Sequence, residues 1–355
     1  MEKKAIVHII DTLATGGAEI QLKNSVNTLP EYRHLVVYLS GPAHFTNSFE
    51  GDVSFTCLDH KGWSSIMGTV DKLRRIITTL QPVLVHSHLF VSTIVARLAT
   101  PRNFPLISTL HSMYSLDAFQ RNRISLFLER LTLKPRHALI GVSDFVLKDY
   151  FRFIPFTGKR FVLYNFLPDN FFRATPHPAR TGALKCVAVG NLKDAKNYFY
   201  LLDIFRLLKN TGVQLDIYGD GNLEQSLREQ IEREDLPVIL KGQVERPADF
   251  LPAYDLFIQA SRHEGFGLSV IEAMALGIPT FLSDIQVFRE ITNNNSHFFP
   301  LDQPETAATL LGELDRDNEK RLQFVGPAVA WCTEQFNSRV YKSRLADIYS
   351  EISRS

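Results

Sequence analysis

Short runs of apolar residues alternate along this chain with longer segments in which apolar residues recur every three or four positions. Runs of about four to eight apolar residues predict buried strands, and the wider spacing predicts helices. The predicted strands of the first half are residues 5–10, 34–40, 55–58, 83–88, 105–112, 138–143 and 161–165. The predicted helices there are residues 66–80, 90–98 and 117–133, and one that begins near residue 17 and reaches about residue 29.

The second half repeats this alternation after a break. Residues 168–183 hold three prolines and no periodicity, which indicates a linker. The strands predicted beyond it are residues 185–190, 213–219, 238–242, 255–260, 279–283 and 297–301. Alternating strands and helices require parallel sheets with right-handed crossovers. We therefore predict an α/β protein of two doubly wound parallel-sheet domains facing across a cleft, residues 1–168 and 184–335, joined by a linker at 169–183.

The segment with the strongest candidate chemistry is residues 262–279, RHEGFGLSVIEAMALGIP. Gly265 and Gly267 let the backbone approach a ligand closely, and a helix is predicted over residues 269–276 before a Gly-Ile-Pro stop. Because an apolar strand precedes this loop, the helix would begin at the carboxyl edge of a parallel sheet. Free N–H groups at such a helix start bind anions, so the segment predicts a phosphate site.

Two carboxylates, Glu264 and Glu272, flank the predicted helix start. If most of the interval is helical, a rise of about 1.5 Å per residue separates them by about 12 Å, on helix sides about 80° apart. A diphosphate could then lie between them, with one carboxylate accepting hydrogen bonds from sugar hydroxyls and the other from ribose hydroxyls. The alternative is that both are solvated acids favoured by the helix dipole.

Two further candidate sites lie in the first half. Gly16 and Gly17 at a helix start suit an anion, but they match neither the dinucleotide fingerprint nor the phosphate loop, and a simple turn is the alternative. His111 follows a predicted strand, where an open α/β sheet places ligands, and a structural histidine is the alternative. His86 and His88 end another strand and are candidates for facing an acceptor, whereas a metal site would need a third ligand.

Charge is distributed unevenly between the two halves. The whole chain has a net charge of +1, but residues 1–168 hold 19 Lys and Arg against 12 Asp and Glu, so this half carries +7 and the remainder −6. A basic half suits an anionic acceptor or membrane surface, although chance scatter is the alternative. Five basic residues between 121 and 136 accompany apolar ones in the predicted helix 117–133, which either contacts anionic lipid or covers the sheet.

The composition of the chain indicates in which cellular compartment the protein is expected. No run of about 18 apolar residues exists, so no membrane span is predicted. The first ten residues predict a buried strand rather than a signal peptide, because polar residues follow too soon. Three scattered cysteines, odd in number and without metal-ligand spacing, favour a reduced cytosolic compartment.

The string EGFGLSVIE at residues 264–272 resembles the E-x7-E signature of the retaining glycosyltransferases of family 4, group 1, and the AMALGIP that follows resembles the same family. The resemblance runs along almost the whole chain and implies the GT-B fold of two Rossmann-like domains. It implies that Glu264 orients the donor sugar, that Glu272 binds the ribose, and that a final helix, residues 336–355, packs back on the first domain. The backbone expected at the donor diphosphate is that of Gly265, Phe266, Gly267, Leu268 and Ser269.

Other strings resemble family segments more locally. The pair Gly16-Gly17 resembles a Gly-Gly-x-Glu whose loop faces the donor diphosphate and the acceptor. His111 lies in a string similar to Thr-x-His, whose histidine contacts the donor sugar or its diphosphate. Gly219 resembles a glycine at the base-binding end, and Val244 lies in a segment similar to the one whose backbone reads the base.

One local match includes a departure from the family. Gly190-Asn191-Leu192 resembles Gly-Arg-Leu, and Lys196 resembles the lysine that neutralises the leaving diphosphate. Asn191 replaces the usual arginine and removes one positive charge. Either Lys193, Lys196 and backbone donors suffice, or activity is weak.

The resemblance implies a metal-independent retaining glycosyltransferase, without a cofactor, that uses a nucleotide-diphospho-sugar, with UDP-sugars favoured and GDP-mannose next. The expected catalytic residues are Glu264, Lys196 and His111. No well-placed enzyme nucleophile is evident, and the resemblance implies a front-face mechanism in which a leaving phosphate oxygen acts as base. The expected acceptor is a glycan or a lipid-linked glycan in surface polysaccharide or glycoconjugate assembly. The expected location is cytoplasmic, with peripheral contact to an anionic membrane left open and no nucleic-acid partner.

Two alternative classes share this fold. A nucleotide-sugar epimerase would act on the donor alone and would need an acid/base pair at the sugar, which the sequence does not identify. A non-catalytic glycosyltransferase-like partner would keep the fold and bind nucleotide without turnover, and Asn191 is the residue that favours it.

Overall fold

The computed structural model describes residues 3–14, 16–44, 46–116, 123–172, 182–244 and 246–354. The chain divides into two compact units, unit 1 formed by residues 1–166 with 338–355 and unit 2 formed by residues 167–337. Most of the segment predicted as a linker, residues 173–181, lies outside the described residues.

The strands of unit 1 are β1 (Ala5–Ile10), β2 (Arg33–Tyr38), β3 (Val53–Cys57), β4 (Leu84–His88), β5 (Leu106–Leu110), β6 (Ala138–Gly141) and β7 (Lys159–Val162), and those of unit 2 are β8 (Lys185–Val189), β9 (Gln214–Tyr218), β10 (Val238–Gly242), β11 (Leu256–Gln259), β12 (Thr280–Ser283) and β13 (His297–Phe299). The described helices are α1 (Gly17–Asn27), α2 (Ile66–Leu80), α3 (Phe90–Ala99), α4 (Arg123–Thr132), α5 (Asp144–Phe151), α6 (Tyr198–Leu207), α7 (Glu224–Glu234), α8 (Pro247–Phe250), α9 (Leu268–Ala275), α10 (Gln286–Thr292), α11 (Pro304–Arg316), α12 (Asn318–Leu322), α13 (Val325–Gln335) and α14 (Ser338–Ser353).

Each unit is built on one parallel sheet. The order is β3-β2-β1-β4-β5-β6-β7 in unit 1 and β10-β9-β8-β11-β12-β13 in unit 2. The order reverses between β1 and β4 and between β8 and β11, and ligands of open α/β sheets bind at such switch points, beyond the carboxyl ends of the strands. The predicted class, α/β with two doubly wound parallel-sheet domains, is confirmed.

Apolar strands and amphipathic helices account for the layers. All six residues of β1 are buried, as expected for a central strand covered on both faces. In α2 the buried Val70, Leu73 and Ile77 recur at helical spacing and pack against the sheet. The helix ends where Gln81 adopts a left-handed conformation.

The final helix α14 is part of unit 1. Its residues Leu345, Ile348 and Ile352 pack in one cluster with Ile6 and Leu84 of the central strands. Burial of each large apolar side chain contributes about 1.5–3 kcal/mol, so this face is a substantial part of the unit's core.

One predicted strand is misplaced, and one predicted helix can be compared with the structure only in part. β7 spans Lys159–Val162 rather than residues 161–165, because it pairs with β6 through the polar Lys159 and Arg160. α4 begins at Arg123, and the earlier part of the predicted helix, residues 117–122 with Arg121, lies outside the described residues. No helix in the described ranges is long and apolar enough to cross a membrane.

Candidate active site

The loop before α9 ends at a glycine cap. Gly267 has φ +97°, and a Cβ there would lie 3.0 Å from Phe288, so glycine is required. The amides of Val270 and Ile271 both donate to the Gly267 carbonyl. The amides of Leu268 and Ser269 lie in the first turn of α9, where an α-helix offers no carbonyl acceptor to its N–H groups. The start of the helix can therefore bind an anion.

This helix start corrects one sequence-based estimate. α9 begins at Leu268, so Glu272 is helical while Glu264 lies in the preceding loop. The separation of about 12 Å assumed helical rise across most of the interval, and half of that interval is loop. Phe266 is 4% exposed and meets Phe336 edge to face at 5.7 Å, which anchors the loop in the core of unit 2.

Glu264 and Lys196, 68 positions apart in sequence, form an ion pair. Lys196 Nζ donates to Glu264 Oε1 at 2.6 Å, and both side chains are 13% exposed. The same oxygen accepts from Ser261 Oγ at 2.7 Å, and Gln259 Nε2 donates to that hydroxyl at 3.0 Å. The pairing arises because β8 and β11 are neighbours, so the loops after them meet at one sheet edge. The amide of Arg262 also donates to the Ala195 carbonyl at 2.9 Å.

Two loops at this edge interlock through glycines. Gly190 follows β8 and Gly219 follows β9, and a Cβ on Gly219 would overlap the Gly190 carbonyl oxygen. A Cβ on Gly190 would lie 3.0 Å from Lys196, so the absence of a side chain makes room for the lysine. The buried Tyr198 donates to the Gly190 carbonyl at 2.8 Å. Burial, and then the charge of Glu264, raise the pKa of the Tyr198 hydroxyl, so it remains a donor.

Glu272 lies on α9 in a largely buried position. Burial raises the pKa of this carboxyl from its usual 4.5 to about 7, and the positive charge of Lys196 acts in the opposite direction. The protonated and the ionised forms of this carboxyl are therefore both populated near neutral pH. Because a buried carboxylate without hydrogen-bond donors is unfavourable, this group favours a ligand that donates hydrogen bonds to it.

Three other predicted donor residues surround this edge. Asn191 and Lys193 are exposed in the loop after β8, so neither side chain is held in place by packing. Val244 is partly exposed in the segment after β10, and Glu245 beside it lies outside the described residues. Lys193 is the cation closest in sequence to Asn191, the position at which the motif resemblance leads us to expect arginine.

The glycine pair of unit 1 also begins a helix. α1 starts at Gly17, and Gly16 is its N-cap in an extended conformation. A Cβ on Gly16 would overlap the carboxylate of Glu19, which accepts from Thr12 Oγ1 at 3.3 Å. Burial raises the pKa of the Glu19 carboxyl. Glu19 was not among the predicted site residues, and its position three residues after the N-cap is the signal that could have found it.

His86 and His88, predicted to face an acceptor, are 2% and 3% exposed. They belong to the histidine cluster, which we define as His8, His34, His86, His88 and His111. The side chains at positions 86 and 88 point to the same face of β4, and β1 places His8 opposite His86. Both imidazoles therefore lie inside unit 1, and only His111 lines its open pocket.

That pocket, with a volume of about 300 Å³, lies at the carboxyl ends of β1, β4 and β5. Asp11 lines it and accepts from the Ser92 amide at 2.7 Å, and burial raises the pKa of its carboxyl. Leu89 also lines it and has φ +68°, a strained conformation for leucine that is more frequent at functional sites. Neither residue was predicted, although Asp11 directly follows the strand β1.

The two doubly wound sheets with their switch points define a protein of two Rossmann-like units, and the glycine-capped start of α9 lies at the same sheet edge as the Lys196–Glu264 pair. Residues 173–328 match the family model described as Glycosyl transferases group 1, and residues 15–170 match that described as Glycosyltransferase Family 4. The chain belongs to the group 1 glycosyltransferases, whose fold is GT-B.

Curated relatives and solved structures agree with this assignment. The chain is 24% identical over 241 residues to the O-antigen biosynthesis glycosyltransferase WclY of Escherichia coli, a match that covers 65% of this chain and 64% of that protein, just under two thirds of its length. It is 24% identical over 307 residues to the putative glycosyltransferase EpsF of Bacillus subtilis, covering 79% of each. The structure of Anabaena Alr3699/HepE in complex with UDP and glucose is similar with a TM-score of 0.81 and 19% identity, covering 98% of this chain and 99% of that one.

Proposed function

We propose that this protein is a retaining glycosyltransferase that moves a sugar from a nucleotide-diphospho-sugar to a glycan or lipid-linked acceptor in surface polysaccharide assembly. The observation that carries the proposal is the Lys196–Glu264 pair at 2.6 Å beside the helix start of α9. A lysine ammonium has three donors, and one of them is used by Glu264. The others, with the Leu268 and Ser269 amides, can bind the diphosphate of a donor.

The leaving diphosphate gains negative charge as the bond to the sugar breaks. Preorganised donors aimed at that charge stabilise the transition state, and loss of one such donor typically costs about 10²–10³ in kcat. Lys196 and the α9 amides have this role in the proposal. Glu264, oriented by Ser261 and Lys196, accepts hydrogen bonds from sugar hydroxyls, and Glu272 accepts them from the ribose.

The donor is proposed to be a UDP-sugar, with GDP-mannose next. The motif resemblance and the UDP bound in the similar HepE structure motivate this order. The acceptor is proposed to enter the pocket of unit 1, where His111 and Asp11 offer hydrogen-bonding groups. Metal-independent turnover is also part of the proposal, since Lys196 and the amides supply the positive charge.

The first test is thermal unfolding of the protein with UDP, GDP, ADP or CMP, followed by the matching sugar donors. A ligand at 100 times its Kd adds about 2.7 kcal/mol to the free energy of unfolding. A shift with one nucleotide identifies the base. If none of the four shifts the transition, the proposed donor site is refuted.

Variants then separate binding from turnover. Glu272→Ala should weaken nucleotide affinity, whereas Glu264→Ala should mainly lower turnover, and Glu319→Ala on the exposed face of α12 is the control. Equal nucleotide affinity in Glu272→Ala and the parent would refute the proposal that Glu272 binds the ribose. The anomeric configuration of the product, read by NMR, tests retention, and rates with and without added Mg²⁺ or Mn²⁺ test metal independence.

We also propose that α4 contacts an anionic membrane. Its Ile124, Phe127 and Leu131 are 70%, 63% and 52% exposed and recur at helical spacing. Arg123 and Arg130 are exposed on the same helix, and its one acid is buried against a partner on α3. An apolar stripe flanked by cations is typical of helices that lie in the membrane interface.

Vesicle flotation tests this surface. The parent should float with vesicles containing phosphatidylglycerol and not with pure phosphatidylcholine. The double variant Ile124→Ser/Phe127→Ser should lose binding, while Leu207→Ser, which changes a leucine of unit 2 that is 50% exposed, should keep it. Undiminished flotation of the double variant would show that α4 is not the contact.

A further inference from the structure

Two ring nitrogens of the histidine cluster have no hydrogen-bond partner within the part of the chain that the structure describes. They are His8 Nδ1 and His88 Nε2, on residues that are 1% and 3% exposed. Leaving a buried polar atom unpaired costs about 1–3 kcal/mol, and native proteins rarely do so without a reason. The donor chemistry of unit 2 makes no use of either atom.

Strand geometry brings three of these imidazoles together. His8 of β1 lies opposite His86 of β4, and His88 projects from the same face two residues later. Each can offer one ring nitrogen so that the three atoms lie within 4.8 Å of one another. Three imidazoles around a metal ion hold bonds of about 2.0–2.1 Å, which places the nitrogens roughly 3.3 Å apart, so nitrogens up to 4.8 Å apart must approach one another by up to about 1.5 Å when the ion binds.

The two unpaired atoms belong to rings whose other nitrogen is already held. His8 Nε2 lies 3.1 Å from His34 Nδ1, and His34 Nε2 lies 2.9 Å from the Leu29 carbonyl. His88 Nδ1 lies 3.2 Å from His111 Nε2. Metal-bound histidines almost always engage their second nitrogen in this way, because the hydrogen bond fixes the tautomer and the ring orientation.

His86 completes the set. Its Nδ1 lies 2.8 Å from the Tyr349 hydroxyl of α14, and its Nε2 lies 2.7 Å from Thr109 Oγ1. Ligation through Nε2 would keep the tyrosine contact and release the threonine hydroxyl.

Space for a fourth ligand adjoins the cluster. A small cavity of about 10 Å³, close to the least volume that holds one water molecule, is lined by His88, Thr109 and His111, together with the polar Ser25 and Asn165. His111 lines both this cavity and the open pocket of unit 1.

We propose that His8, His86 and His88 bind one divalent transition-metal ion, with Zn²⁺ as the preferred ion. Neutral imidazoles suit Zn²⁺, Co²⁺, Ni²⁺ and Cu²⁺, whereas Mg²⁺ and Ca²⁺ prefer oxygen ligands. The site is structural: it joins β1 to β4 and, through Tyr349, to α14. It is independent of the diphosphate chemistry proposed for unit 2.

The test uses the full chain without a polyhistidine tag, freed of metal and titrated with Zn²⁺ alone. We expect one equivalent to bind by calorimetry, the thermal transition to rise, and Mg²⁺ to have neither effect. Co²⁺ should give the visible absorption of a tetrahedral imidazole site. Absence of stoichiometric Zn²⁺ binding would overturn the proposal and leave the cluster as a hydrogen-bonded core network.

Variants locate the ion. His88→Gln and His8→Gln should abolish binding, and Tyr349→Phe should weaken Zn²⁺ affinity about 10- to 100-fold by removing the partner of His86. His44→Gln, the same change at an exposed histidine of unit 1, should bind like the parent. Equal affinity in His88→Gln and His44→Gln would refute the site.

If the variants do not fold, ¹⁵N-histidine spectra of the parent decide the matter. One equivalent of Zn²⁺ should shift the ring nitrogens of His8 and His88, and unchanged ring signals would refute the site.

Discussion

The variant Glu272→Gln tests how the ionisation of the buried carboxyl on α9 affects stability. In the folded protein this carboxyl has a pKa of about 7, whereas the unfolded chain has the ordinary value of 4.5. Between these values the folded state keeps a proton that the unfolded state releases, so stability falls as pH rises through this window. Above pH 7 the full cost applies, about 3 kcal/mol for a shift of this size at 1.36 kcal/mol per unit. Glutamine keeps the shape and cannot ionise.

We therefore expect Glu272→Gln to be more stable than the parent by as much as about 3 kcal/mol at pH 8, and to differ from it by less than about 1 kcal/mol at pH 5. Urea unfolding of unit 2 can be followed alone, because the chain has two tryptophans, Trp63 in unit 1 and Trp331 in unit 2. A Trp63→Phe background leaves Trp331 as the reporter.

Glu319→Gln, the same change at an exposed position of α12, is the matched control and should show no pH-dependent gain. The reasoning fails if Glu272→Gln differs from the parent equally at pH 5 and pH 8. It also fails if the variant is less stable at pH 8, since the carboxylate would then be stabilised by partners rather than penalised by burial.

Three further outcomes are expected. The affinity for a nucleotide-sugar, measured by calorimetry, should fall about tenfold per pH unit below pH 7 in the parent, because the ionised carboxylate accepts the ribose hydrogen bonds. In Glu272→Gln the affinity should stay constant over the same pH range. The same pH dependence in both proteins would contradict this role. Gly219→Ala should lower the free energy of unfolding by more than about 2 kcal/mol in urea titrations, because its methyl group overlaps the Gly190 carbonyl oxygen. Arg97→Met should cost about 3–5 kcal/mol in the same assay, because Glu129 is left buried without its ion-pair partner, and a loss below 1 kcal/mol would show that water reaches the site.

Much of the fold was predictable because hydrophobic periodicity reports burial. The helix predicted over residues 66–80 is α2, Ile66–Leu80, since its apolar stripe and its boundaries coincide. β7 was misplaced because Lys159 and Arg160 are paired through their backbone while their side chains are polar. A pattern of side chains cannot report which backbone groups are hydrogen-bonded.

The candidate site was predictable as parts and not as an arrangement. Glu264 and Lys196 were each identified by motif, but their ion pair depends on β8 and β11 being neighbours, which no local pattern contains. Tyr198 was missed because a buried aromatic residue on a helix is usually only core. His8 was missed although it is the one polar residue of β1, and a single histidine inside an apolar strand is the signal that could have pointed to the cluster.

The place of α14 has a consequence for the order in which the chain folds. Unit 2 is an insertion in unit 1, because residues 338–355 return to the unit that the first 166 residues begin. A ribosome therefore makes all of unit 2 before it makes the helix that completes the core around Ile6 and Leu84. Until then the face of the first sheet that α14 covers is open to water, and chaperones or proteases can recognise it. Unit 2, whose segment is continuous, has no such interval.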